Sequence, residues 1–170
     1  FNETIAEGLL TDNNFEVTGV RNGAQTDHSV SVTFDGENDE LTTEFVRNWH
    51  GKPLTVEMWI LADRPQDAVL FSQGTANSAI ELGITADNRL RVKVGNKESV
   101  SGQAVDYEQG TWAHVALVYD EDARLSAFYN YVEYIRAVET DGYAGEGSYR
   151  FGASINGTKH YAGKMHNARI

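Results

Sequence analysis

The densest set of hard oxygen donors in the chain is the run Asp35-Gly36-Glu37-Asn38-Asp39-Glu40. Calcium takes roughly six to eight oxygens at about 2.3–2.6 Å, and an acidic turn supplies carboxylate and backbone oxygens without a dedicated cage. Asp35, Glu37 and Asp39 are therefore candidate calcium ligands. A solvated acidic hairpin turn is the competing account of the same residues.

A second set is cationic. Arg89, Arg91 and Lys93 alternate with Leu90, Val92 and Val94, which lines three bases along one face of a strand. Antiparallel pairing about Ala86-Asp87-Asn88 sets Thr85 opposite Arg89, Gly83 opposite Arg91 and Glu81 opposite Lys93. One account is a solvated face with a single cross-strand pair, Glu81 with Lys93. The other leaves Arg91 open above the bare strip at Gly83, where its planar fork suits a carboxylate or sulfate. Arg91, Arg89 and Lys93 are then candidate ligand-binding residues, and the ligand is an acidic polysaccharide such as a uronate.

The histidines make a poor transition-metal set. His160 and His166 would lie about 20 Å apart on one strand, too far for one ion. His114, beside Trp112, reads as a satisfied core histidine, and His28 and His50 have no nearby partner in sequence. The chain has no Cys, so it has neither disulfides nor thiolate chemistry.

Strands must hold these residues. In Gly110-Thr111-Trp112-Ala113-His114-Val115-Ala116-Leu117-Val118-Tyr119-Asp120, neither period-two face is polar enough for open water, so this is a central strand covered on both sides. Arg124 to Tyr129 and Val132 to Val138 follow as a hairpin about Asn130-Tyr131. Further strands are expected at 28–34, 41–45, 54–61, 68–72, 80–84, 90–94, 99–105, 149–153 and about 160–170. Shorter ones are expected near Leu9-Leu10 and Phe15 to Val17. About a dozen short strands with regular turns make an all-β, two-sheet antiparallel sandwich whose edges are closed or covered.

With 170 residues the chain reads as one domain, 1–28 contributing N-terminal strands and a loop and 29–170 the core. The 25 acidic against 14 basic residues, net −11, exclude a general affinity for nucleic acid or anionic membranes. No apolar run approaches the ~20 residues that span a bilayer, so no membrane insertion is expected. Phe1 stands where a start Met would, which points to a processed chain or to a domain excised from a larger chain with neighbouring domains. Asn2-Glu3-Thr4 and Asn156-Gly157-Thr158 match the glycosylation sequon and are read as chance occurrences.

Four segments carry a family resemblance: GTWAHVALVYD (110–120), VTFDGENDEL (32–41), LTVEMWI (54–60) and GKMHNARI (163–170). Taken in chain order, over about residues 29–170, they resemble the laminin-G-like branch of the concanavalin A-like jelly rolls. The resemblance implies a non-catalytic recognition module, binding glycan or an extracellular protein, in a secreted or cell-surface protein. A structural or protein-binding domain without a small ligand is the alternative, and a polysaccharide hydrolase or lyase the third reading. It also implies calcium in a rim loop, and adds Asp12 of Asp12-Asn13-Asn14 to the candidate ligands. His166 and Asn167 stand where the family carries acids, which weakens that site. The hydrolase relatives place a carboxylate pair along one strand, and no strand here offers one, so no catalytic residue is assigned. The family carries Gly where this chain has Tyr131. A bulky ring at a hairpin tip docks on a neighbour or faces a ligand, which makes Tyr131 a further candidate ligand-binding residue.

Overall fold

The computed structural model describes residues 26–27, 31–43, 52–75, 78–140 and 146–170. Among them are thirteen strands: β1 (Thr26–Asp27), β2 (Ser31–Asp35), β3 (Leu41–Thr42), β4 (Leu54–Ala62), β5 (Ala68–Gln73), β6 (Ile80–Ile84), β7 (Leu90–Val94), β8 (Lys97–Val100), β9 (Ala113–Tyr119), β10 (Arg124–Tyr129), β11 (Val132–Glu139), β12 (Tyr149–Phe151) and β13 (Ala162–Arg169). The strands expected near Leu9 and Phe15 lie outside the described residues.

The strands form two antiparallel sheets. One has seven strands in the order β1-β2-β13-β4-β9-β10-β11, the other six in the order β3-β12-β5-β6-β7-β8. Alternation builds the core between them. Val56, Met58 and Ile60 of β4 and Val115, Leu117 and Tyr119 of β9 meet Leu82, Leu90, Val92 and Phe71 from the other sheet. β9 is a central strand, paired with β4 and with β10, and both its faces are largely covered: Val115 and Leu117 are buried on the inner face, His114 and Ala116 on the outer.

Local turn chemistry sets the hairpins. Asn130 and Tyr131 both take the left-handed conformation, φ 47° and 67°, so β10 and β11 join through a two-residue turn whose twist matches the strands. The β6–β7 register is as the alternation predicts, Gly83 opposite Arg91 and Glu81 opposite Lys93. One expected boundary is corrected. The strand expected at 99–105 is Lys97–Val100, because Gly95, with φ 56°, turns the chain directly after β7 and starts β8 earlier.

Candidate functional site

Register builds an aromatic strip on the outer face of the seven-stranded sheet. His166 of β13 pairs with Trp59 of β4, and Trp59 pairs with His114 of β9. Trp112, just before β9, meets His166 edge-on at 5.8 Å, and Trp59 meets His114 edge-on at 5.4 Å. The β10–β11 turn then folds Tyr131 over the strip, its ring flat on the His114 imidazole at 4.9 Å and 15°. Tyr131 thus docks on a neighbour and also stays 73% exposed, with its outer face open.

His114 lies beneath, 8% exposed. Its Nε2 sits 3.4 Å from Oε2 of Glu57, whose Oε1 lies 3.7 Å from Nη1 of Arg169. The expected satisfied core histidine is corrected: the ring belongs to the outer face, and its buried Nδ1 has no hydrogen-bond partner among the described residues. The His114 backbone is clipped to the turn, its N–H donating to Oδ1 of Asn130 at 2.9 Å and its carbonyl accepting from the Asn130 N–H at 2.7 Å.

At the end of the strip lies a pocket of about 140 Å³, lined by Asp106, Glu108, Thr111, Trp112, Tyr129 and Asn130 among others. Burial, reinforced by the Asp106 charge, pushes the Tyr129 hydroxyl above its ordinary pKa, so it remains a donor at neutral pH. The pocket therefore offers two carboxylate acceptors and neutral donors beside a Trp edge. Sequence reasoning missed Trp59, Trp112, His166, Asp106 and Glu108. The one legible signal was aromatic residues at outward positions of strands whose other phase is core.

The cationic ridge has a different fate from the one its spacing suggested. The Arg91 guanidinium is 5% exposed and paired with Asp67, with Glu98 at 3.8 Å. It lies across Gly83, where an added Cβ would come within 3.1 Å of Nη2, so the strand's bare strip is filled by Arg91 itself. Arg89 is held by Asp87 at 2.8 Å and by the carbonyls of Ser101 and Gly102. Lys93 lines a separate pocket with Glu81 and Glu98. None of the three adjoins the aromatic strip.

The acidic turn is partly self-satisfied. Asp35 accepts from the N–H groups of Glu37 (2.7 Å) and Asn38 (3.2 Å). Burial opposes its charge, but these backbone bonds outweigh it and hold the carboxyl below the usual range. Asp39 is 1% exposed; its Oδ2 accepts from the Asp35 N–H at 3.0 Å, while Oδ1 has no partner among the described residues. Glu37 is exposed, and Asp12 lies outside the described residues. Among the described residues no group of three or more His, Asp and Glu side chains is placed to hold a metal ion.

Two stacked antiparallel sheets of seven and six strands make this an all-β jelly-roll sandwich. The chain belongs to the concanavalin A-like lectin/glucanases superfamily, whose laminin G family model matches residues 35–170. Its fold is similar to domains LG4-5 of the mouse laminin alpha1 chain, at 14% identity and TM-score 0.65, covering 81% of this chain and 39% of that one. It is also similar to the heptameric SAP-like pentraxin of Limulus polyphemus, at 17% identity and TM-score 0.64, covering 81% and 73%. A third similar structure is domain 4 of AbnA, a GH43 extracellular arabinanase of Geobacillus stearothermophilus, in complex with arabinotriose. It shares 12% identity and a TM-score of 0.62, with 89% of this chain and 79% of that one covered. No curated protein matches the chain.

Proposed function

We propose that this domain is a non-catalytic recognition module that binds neutral glycans in a secreted or cell-surface protein. The observation that carries this reading is Tyr131, stacked on His114 with its other face open, next in sequence to Asn130 of the 140 Å³ pocket. A ring presented in this way stacks on the apolar face of a pyranose or furanose, and polar groups at its edge fix the hydroxyls. Asp106 and Glu108 accept hydroxyl hydrogen bonds and repel carboxylates and sulfates, so the favoured ligand is uncharged. This replaces the acidic polysaccharide, because the Arg91 fork is already paired with Asp67. The arabinanase domain with arabinotriose supports a glycan of this class.

The test is a glycan array followed by titration of the neutral oligosaccharides it selects, with wild type and Tyr131→Ala. Stacking worth roughly 0.5–1.5 kcal/mol gives up to about a tenfold loss of affinity in the variant. Unchanged affinity in the variant would move the site elsewhere. Capture of an extracellular protein with no glycan bound would favour the structural or protein-binding alternative, and reducing-sugar release would favour the enzyme reading.

A further inference from the structure

We infer that the outer face of the six-stranded sheet carries a second binding site, separate from the aromatic strip, for a compact zwitterion bearing an ammonium and a carboxylate. Its base is a row that runs across five strands. Register aligns Arg150 of β12, Ser72 of β5, Glu81 of β6, Lys93 of β7 and Glu98 of β8.

The charges around this row are largely closed. Arg150 meets Glu40 at 3.0 Å, Lys159 meets Asp67 at 3.2 Å, and Arg91 is paired with Asp67. At the centre they are open. Lys93 has a carboxylate residue on either side in register, yet among the described residues it makes no ion pair within 4.0 Å. Glu81 is 6% exposed, and Oε1 accepts one long bond, 3.4 Å, from the Ile155 N–H. A carboxylate so buried is costly unless it is paired and hydrogen-bonded.

A pocket of about 130 Å³ lies over these groups, with Lys159, Ile155 and Asn156 forming its wall. That wall is preformed. The Ser154 N–H donates to the Thr158 carbonyl at 2.9 Å and the Thr158 N–H to the Ser154 hydroxyl at 3.1 Å. Asn156 Oδ1 accepts from the Thr158 hydroxyl at 2.7 Å and from the Ser154 hydroxyl. A preordered loop lowers the ordering cost of binding.

The lining chooses the ligand. Two Glu and two Lys cancel, so a lone anion meets Glu81 and Glu98 and a lone cation meets Lys93 and Lys159. A neutral sugar finds no ring among the lining residues, whose apolar side chain is Ile155. A zwitterion sets its ammonium on Glu81 and its carboxylate on Lys93, completing both open charges.

The experiment is a chemical-shift titration of the whole domain with glycine, glycine methyl ester and N-acetylglycine. Glycine should shift the Glu81, Lys93 and Ile155 amides saturably at millimolar concentrations. The ester and the acetyl derivative, each lacking one charge, should bind at least about tenfold more weakly. Glu81→Gln, which keeps an acceptor for the Ile155 N–H, and the surface change Lys93→Met should each weaken glycine binding to a similar degree. Tyr131→Ala should leave it unchanged, so this site stands or falls independently of the glycan site. Absence of saturable glycine shifts, equal binding of the singly charged analogues, or full binding by folded Glu81→Gln would each overturn the inference.

Discussion

The Tyr131 ring lies flat on the His114 imidazole, with centroids 4.9 Å and planes 15° apart, although the two residues are seventeen positions apart in the chain. Tyr131 has φ 67°, a left-handed conformation that costs a non-Gly residue about 1–2 kcal/mol. The stack offsets part of that cost, so Tyr131 trades backbone comfort for an aromatic surface at a hairpin tip.

The trade can be separated by substitution. Tyr131→Ala should destabilise the domain by roughly 1 kcal/mol, through loss of the stack, and weaken glycan binding. Tyr131→Gly relieves the backbone and should return close to wild-type stability while binding as poorly as Ala. Urea melts and glycan titration on the same samples measure both. Equal stability of the Ala and Gly variants would remove the account of the turn.

Arg91 is a structural cation. Arg91→Ala should lower stability by about 2 kcal/mol in denaturant melts, because it removes a buried donor set from Asp67. Burial opposes the charge of Asp67, but the bonds from Arg91 and Lys159 outweigh it and lower its pKa. An acid depressed on folding adds stability above its unfolded value of 3.8 and loses it as pH falls through the lower folded value. The stability difference between wild type and Asp67→Asn should therefore shrink on acidification below pH 3.8. A difference that grows there would refute the pairing.

Asp39 should behave in the opposite way. Burial, with the neighbouring Asp35 charge, raises its pKa above 3.8 despite the bond from the Asp35 N–H. Its protonated form suits the fold, so its contribution is full below 3.8 and is lost as pH rises through the raised folded value. Relative to Asp39→Asn, wild type should lose stability over that rise. The same melts test the calcium proposal for this turn. An ion bound there at 100 times its dissociation constant adds about 2.7 kcal/mol, a gain that Asp39→Asn removes. Identical melts in calcium and in chelator would dispose of the proposal.

Gly163 tests the closing strand. Its φ is 141°, and an added Cβ would stand 2.3 Å from the Leu61 carbonyl oxygen. Gly163→Ala should destabilise by at least about 2 kcal/mol, since backbone must move to admit it. A melt within error of wild type would show that β4 and β13 part more easily than their register implies.

Sequence by itself determined what depends on neighbours along the chain. Alternation in 80–94 specified the β6–β7 register because a one-residue slip would turn Leu82 and Val92 out of the core. The doubly apolar 113–119 specified a strand covered on both faces, and His114 and Ala116 on one face are buried as Val115 and Leu117 are on the other. Asn130-Tyr131 specified a two-residue turn from its spacing between two alternating runs. The tertiary structure alone decided which surface groups meet. Arg91 reads as free along its own strand, and its partner Asp67 stands before β5, twenty-four residues away. Trp59, His114 and His166 come from three distant segments and become one strip only because β4 lies between β13 and β9. Strand order is set by the summed burial of many apolar contacts, and no local pattern encodes it. The candidate sites, which cross strands, therefore became visible only in the fold.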